Sequence, residues 1–395
     1  MKVLVSNLGS TSFKYRLYDM STEQQLARGG VERIGAPESR CFVEIGDHKA
    51  EMTLSVPNHG VAVDACIAQL TDPEFGCIKD ASEISAIGFK AVHGGRISGV
   101  FRIDDEVLKA MDEMNSVAPA HNPPYMAAMK QLASMSKIPL VAAFETDFHQ
   151  TIPEAWKRYA LPADLAAALP IKKWGFHGAS HRYIGGRVAE LLGRDDARVI
   201  SCHLGGSSSL CAIRGGKSVA ATMGMSPQSG LPQNNRVGDL DPFSLPLMMQ
   251  HSGLSLEELL HKLSTQAGLL GLSNGLSADI RDIEQAAQSG NADAQLALDV
   301  YVAEIRRQLG GMLVALGGAD AIVFTGGIGE NGKEIRQAVC EGLEEFGIEL
   351  SPEKNQARAI ETRIDSGNGK VQLWIVPTNE EIVVARQTVA AIQKN

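Results

Sequence analysis

Val199-Ile-Ser-Cys-His-Leu-Gly-Gly-Ser-Ser-Ser-Leu210 opens as a short apolar strand, stops at His203 and breaks into a Gly/Ser loop. Apolar residues resume at Leu210-Cys-Ala-Ile213, so the stretch reads as strand, loop, strand. Glycines let a backbone approach a ligand closely, and consecutive N–H groups with three hydroxyls would cradle an anion. An ordinary hairpin turn has the same composition. What separates the two readings is an echo at the N-terminus, Val3-Leu-Val-Ser-Asn-Leu-Gly-Ser-Thr-Ser-Phe-Lys14. Asn7-Leu-Gly-Ser-Thr-Ser12 aligns with His203-Leu-Gly-Gly-Ser-Ser208, about half the chain later. A phosphate-type loop repeated at the half-length predicts two related α/β halves facing one another across a cleft. That is the layout of a nucleotide-dependent phosphotransferase.

The 395 residues are enough for two sizeable cores. Hydrophobic residues make up 44% and charged residues 21%, the proportions of a soluble globular chain. A net charge of −9 argues against a broad nucleic-acid footprint, which needs a basic excess. It leaves room for a local basic cluster around an anionic substrate. Six cysteines, at 41, 66, 77, 202, 211 and 340, include no Cys-x-x-Cys pair and read as reduced, buried thiols. Cys202 beside His203 is not read as a reactive pair, because neighbouring strand residues point to opposite faces. No apolar run approaches the ~18–20 residues that cross a bilayer, and no signal-type segment opens the chain. A cytoplasmic protein with neither membrane nor nucleic-acid partners is expected.

Glu23–Glu51 alternates short apolar and charged stretches, as a strand meander does. Helices are predicted over Val61–Leu70, over Asp104–Asn115, from Asn122 as N-cap to near Ser136, and up to Leu192. Ile84–Val92 reads as a buried strand, Pro139–Phe144 as a continuous apolar run buried on both faces, and Ala321–Thr325 and Val371–Val376 as further strands. They end in polar or glycine-rich segments: His93-Gly-Gly95, Glu145-Thr-Asp-Phe-His-Gln-Thr-Ile-Pro153, Gly326-Gly-Ile-Gly-Glu-Asn331, read as a loop just ahead of a helix, and Thr378-Asn-Glu-Glu381. Ligands in open α/β sheets bind at such carboxyl ends. Gly215–Pro242 reads as one long Gly/Pro-rich connection carrying Arg236, and loops of that length are usually functional. Further on, Ser255 caps a helix from Leu256, Ser277–Asp282 starts another, and Ala292–Leu316 keeps helical spacing throughout.

Six of the ten histidines (93, 121, 149, 177, 181 and 203) fall between residues 93 and 203, most of them at strand ends. One shared cleft explains them better than scatter. His177 and His181 have the i, i+4 spacing of a zinc pair, but Gly178 follows the first and no helical glutamate accompanies them, so a metal role is set aside.

Taken in order, these segments resemble the acetate/propionate kinase family of the actin-like kinase superfamily. The matches run end to end: Asn7-Leu-Gly-Ser10, His93-Gly-Gly95, His121-Asn-Pro123, Phe148-His-Gln-Thr-Ile-Pro153, Gly175-Phe-His-Gly-Ala-Ser-His181, His203-Leu-Gly205, Arg236-Val-Gly-Asp-Leu-Asp-Pro242, Ser277-Ala-Asp-Ile-Arg-Asp282, Phe324-Thr-Gly-Gly-Ile-Gly-Glu-Asn331 and Thr378-Asn-Glu-Glu381. The resemblance implies a duplicated actin-like (ribonuclease H-like) fold, with one domain at 1–148 plus 381–395 and the other at 149–380. It implies a homodimer built through the second domain. The implied reaction is reversible, in-line phosphoryl transfer from ATP to a short carboxylate, acetate or propionate, with magnesium or manganese.

By the same resemblance, Arg236 and His177 act on the transferring group, with Glu145 and Lys90 as further catalytic positions. Asn7 and Glu380 would hold the metal, and Lys14, His203, Gly205 and Gly206 the phosphates. Asp279, Ile280 and Arg281 would form the nucleoside and phosphate pocket with Gly327, Ile328, Gly329, Glu330 and Asn331. Val92, Ala120, Phe176 and Pro227 would surround the acyl group. The chain departs from the family pattern where Lys90 stands for Arg, Glu145 for Asp, Gly206 for Asn and Ala120 for Leu. Lys90 and Glu145 read as a compensated swap, and Ala120 as a roomier acyl pocket. Pyrophosphate as donor, a longer acid as acceptor, or a ligand-binding relative of low activity are the alternatives.

Overall fold

The computed structural model describes every residue except Ser10, Ala120, Ser136 and Asn395. The acyl-wall position expected at Ala120 therefore lies outside the described residues. The chain divides into two compact units, Met1–Asp147 with Asn379–Asn395, and Phe148–Thr378.

The first unit carries β1 (Lys2–Gly9), β2 (Ser12–Asp19), β3 (Gln24–Glu32), β4 (Ser39–Ile45), β5 (His48–Leu54), β6 (Ile84–Ala91), β7 (Val100–Arg102) and β8 (Leu140–Phe144). They form one sheet in the order β5-β4-β3-β2-β1-β6-β8-β7. The expected meander is β3-β4-β5, and its last strand is exposed and rich in charge, which suits an edge. All five residues of β8 are buried, as an apolar run in a parallel setting requires. The Glu380–Gln393 helix packs against β1, β6 and β8. Gly88 makes that approach possible, because a Cβ there would lie 2.2 Å from Thr388 Oγ1. Asn122 begins the Asn122–Met135 helix, and its side-chain amide donates to the carbonyls of His93 and Met111, both at 2.8 Å. It ties down the His-Gly-Gly strand end instead of serving as the expected N-cap.

The second unit carries β9 (Arg198–His203), β10 (Ser209–Arg214), β11 (Lys217–Ala221), β12 (Ala321–Thr325), β13 (Thr362–Arg363) and β14 (Gln372–Ile375), ordered β11-β10-β9-β12-β14-β13. The Ala292–Leu316 helix turns Tyr301, Ile305 and Leu309 into the core on one face. The Gly178–Leu192 helix packs Ile184 and Val188 against Val199, Ile213 and Val323 on the other. Two sequence expectations are corrected here. The connection after Gly215 is not irregular from its start: Gly215 and Gly216, at φ 55° and 70°, turn the chain into β11, and the irregular segment begins only at Thr222. Gly326–Asn331 is not a loop ahead of a helix but is itself a short helical turn.

Each sheet contains the same five-strand arrangement. Antiparallel β3-β2-β1 continues into parallel β6 and β8, and antiparallel β11-β10-β9 continues into parallel β12 and β14.

Candidate active site

In the first unit, strand register gathers the polar groups. Ser6 pairs with Phe89 on the parallel neighbour, so Asn7 and Lys90 stand one step beyond it, side by side. Lys90 Nζ is 2.5 Å from Glu380 Oε2, an ion pair whose side chains are only 21% and 14% exposed. Burial alone would pull the lysine down, but the Glu380 and Glu145 carboxylates outweigh it and hold its pKa above the ordinary lysine value. The expected swap partner Glu145 thus acts on Lys90 through its field, while the ion pair belongs to Glu380. Tyr125, which the sequence did not mark, donates its hydroxyl to Asn7 Oδ1 at 3.1 Å and accepts from the N–H of Leu8. Lys14 stands across from Asn7 on β2, its ammonium half exposed and paired with Glu32 at 3.2 Å. Val92 is buried just past β6.

In the second unit, parallel pairing of Thr325 with His203 brings two glycine-rich strand ends together. Leu204 N–H donates to Thr325 O, and Ile328 and Gly329 donate back to Leu204 O. A Cβ on Gly205 would stand 3.8 Å from Gly327 N and 3.9 Å from His203 Nε2, so the three positions border one space. The cradle in that space is backbone, not hydroxyl. Ser207 donates to Gln233, Ser208 bonds Gly205 and Tyr301, and Ser209 bonds His177 and His181, so all three hydroxyls turn inward. Among the described residues the N–H groups of Gly206 and Ser207 have no acceptor. Glu330 also faces inward, accepting from Gly326 N–H at 2.9 Å. Asn331 donates to Gly327 O. Asp279 caps the Ile280–Gln288 helix and holds Arg281 in a two-point pair that lowers its pKa to about 2.

Arg236 is the outstanding charge. Its guanidinium Nη1 donates to Gln233 Oε1 (3.2 Å), Pro227 O (3.3 Å) and Ser207 Oγ (3.4 Å), all neutral. Among the described residues it forms no ion pair, and burial pulls its pKa down. Gln233, fully buried and unmarked in the sequence, is the hub, since its amide also donates to Pro227 O. Gly268 clamps this segment: at φ 61°, a Cβ on it would meet Gln233 O at 2.0 Å.

Four of the six histidines, His149, His177, His181 and His203, lie close to one another in the second unit, while His93 and His121 belong to the first. The His177 and His203 rings stack at 4.3 Å, and His149 and His181 stand edge-on at 5.8 Å. His177 sits at the N-cap of the Gly178–Leu192 helix in the left-handed region. His149 is fully buried, with Nε2 on Phe176 O and Nδ1 on Ser218 Oγ, and burial lowers its pKa to about 4. A folded-state value below the ordinary ~6.5 gives stability that is complete above pH ~6.5 and is lost as pH falls toward that lowered value. The shift corresponds to ~3 kcal/mol. Urea titrations at stepped pH should therefore show a shallower acid slope for His149→Asn than for the parent. Parallel slopes would assign the acid loss to other groups.

Two sheets of one strand order, each with a glycine-rich strand end, together with a half-buried cation that pairs with no carboxylate among the described residues, define an actin-like phosphotransferase. The Acetokinase family pattern matches residues 2–386. Over 392 residues the chain is 43% identical to an acetate kinase of Clostridium botulinum (strain Kyoto / Type A2), covering 98% of each. It is 44% identical over 393 residues to an acetate kinase of Methanosarcina acetivorans, covering 98% of this chain and 96% of the other. Porphyromonas gingivalis acetate kinase superposes at TM-score 0.90 with 38% identity and 99% of both chains covered. A propionate kinase from Francisella tularensis superposes at 0.90 with 32% identity, covering 98% of this chain and 99% of the other. The chain belongs to the acetokinase family, and is a phosphotransferase with a carboxyl group as acceptor.

Proposed function

We propose that the chain moves the γ-phosphoryl group of ATP, in line and reversibly, to acetate or propionate. The single observation that carries this reading is Arg236, a half-buried guanidinium held by neutral partners only. A loose phosphoryl transition state spreads charge over three equatorial oxygens and asks the protein for cations and donors rather than covalent chemistry. Arg236 supplies the cation, His177 a side-chain donor, and Gly206 and Ser207 backbone N–H groups. Gly327 and Ile328 would take the phosphate side, with Asp279, Ile280 and Arg281 toward the nucleoside.

Asn7 and Glu380 fit a small hard cation, being oxygen donors in one neighbourhood around Tyr125 and Lys90. Among the described residues no group of three or more His, Cys, Asp or Glu could hold a metal, so magnesium would rest on these two, on water and on substrate oxygens. When bound, such an ion neutralises charge on the phosphates. Lys90 orients the Glu380 carboxylate through their ion pair.

The repeated strand order supports descent of both units from one duplicated ribonuclease H-like fold, with domains bounded near residues 148 and 380. The Ser244–Ser252 helix buries none of its residues, and Phe243 and Leu247 are 84% and 69% exposed, which supports a homodimer through the second unit. Six unpaired cysteines fit a reducing compartment.

A hydroxamate assay over a series of acids with ATP, GTP and pyrophosphate tests the reaction. ADP is expected to raise Tm and pyrophosphate to leave it unchanged. Protection by pyrophosphate alone would overturn the choice of donor.

A further inference from the structure

Ser201 and His203 on β9 lie across from Cys211 and Ser209 on β10, so all four share one face of the sheet. The Gly178–Leu192 helix packs against β9 and β10 and brings His177, Ser180 and His181 to them. A neutral imidazole has one donor and one acceptor nitrogen, and its partners decide which is which.

Among the described residues Ser201 Oγ has a single hydrogen-bonding partner, His181 Nδ1 at 2.9 Å, and the serine is fully buried. A buried hydroxyl must place its proton on an acceptor, so Ser201 donates to His181. His181 is kept uncharged by burial, which pushes its pKa well below the ordinary histidine range. Its one proton is therefore on Nε2 and is donated to Ser209 Oγ at 2.8 Å. The only other partner of Ser209 among the described residues is His177 Nδ1, also at 2.8 Å, and the serine proton goes there. With Nδ1 accepting, neutral His177 carries its proton on Nε2. The opposite direction fails at its far end, where Ser201 would have a proton and no acceptor.

A second serine does the same for the stacked neighbour. Ser180 Oγ, fully buried, has His203 Nδ1 at 2.8 Å as its sole partner among the described residues, which puts the His203 proton on Nε2. Two imidazoles stacked at 4.3 Å would repel if both were charged. Serine-set tautomers give two neutral donors instead.

We propose that Ser201, His181 and Ser209 are positioning residues that lock His177 as the neutral Nε2–H tautomer, so that it meets the transferring phosphoryl group as a donor without adding a charge beside His203. The role at the phosphoryl group rests on the function proposed above; the tautomer does not.

The test uses the full chain labelled with ¹⁵N-histidine, with long-range ¹H–¹⁵N correlation near neutral pH and the His177 signals assigned by their loss in His177→Gln. The parent should show His177 as a single Nε2–H tautomer. Ser209→Ala, and Ser201→Ala, which does not touch His177, should each turn it into a tautomer mixture. Their kcat should fall by about 10- to 100-fold with KM nearly unchanged. An Nδ1–H tautomer in the parent overturns the proposal without any variant, as does a His177 pattern that neither serine substitution alters. The predicted tautomer together with full activity in His177→Gln would leave the relay standing and remove His177 from the phosphoryl site.

Discussion

Arg236→Ala is expected to lower kcat by about 10³-fold or more while leaving ADP affinity within a few-fold. The guanidinium is held by Gln233, Pro227 and Ser207, none of them charged, so its positive charge has no partner among the described residues. On the proposed function, charge that develops on the transferring group is the partner it lacks. A cation already partly desolvated and already oriented acts there strongly, because little rearranges at the moment of transfer. Arg236→Lys should recover only part of the loss. A lysine keeps the charge but cannot repeat the planar set of donors that meets Gln233 and Pro227. Steady-state kcat alongside calorimetric ADP binding decides the matter. Equal losses in kcat and Kd would make Arg236 a ground-state binder.

Lys90→Met is expected to lower the unfolding free energy by about 3 kcal/mol at neutral pH, the low end for breaking a buried pair. The folded-state pKa of Lys90 lies above the ordinary ~10.4. Its contribution is thus complete below that value and fades only in stronger alkali, so neutral conditions read it in full. In the variant, the Glu380 and Glu145 carboxylates face each other's field without the ammonium. Acid should then restore part of the loss, because protonation removes the uncompensated charge. Urea unfolding near pH 7.5 and near pH 4.5 tests both points. A deficit that is the same at both would mean lost packing alone.

The regular elements are legible in the sequence wherever one face dictates the pattern. Ala292–Leu316 turns Tyr301, Ile305, Leu309, Met312 and Leu316 inward, and its bounds follow from that spacing. The buried runs Leu140–Phe144 and Ala321–Thr325 are equally plain. β11 is short and carries a lysine at its start, and the Gly215-Gly216 turn that announces it hides within a glycine-rich segment.

The site is legible at its charged and glycine positions and silent at its supports. Ser207, Ser208 and Ser209 look alike as letters. Only pairing with β9 turns Ser209 toward two histidines while Ser207 meets Gln233. Nothing local marks Gln233 or Tyr125, whose importance lies in what they touch. Nothing local ties Lys90 to Glu380 either, 290 residues away in the chain.

That separation bears on how the protein is made. The sheet of the first unit is synthesised early, yet the helix that covers β1, β6 and β8 is made only after the whole second unit. Until then Gly88 has no Thr388 against it and Lys90 has no Glu380. Residues 148–378 form a self-contained unit that can mature first, so the half translated second can finish before the half translated first. A nascent chain stalled just short of Glu380 would carry a bare apolar sheet face, the state in which a chaperone or a protease would find it.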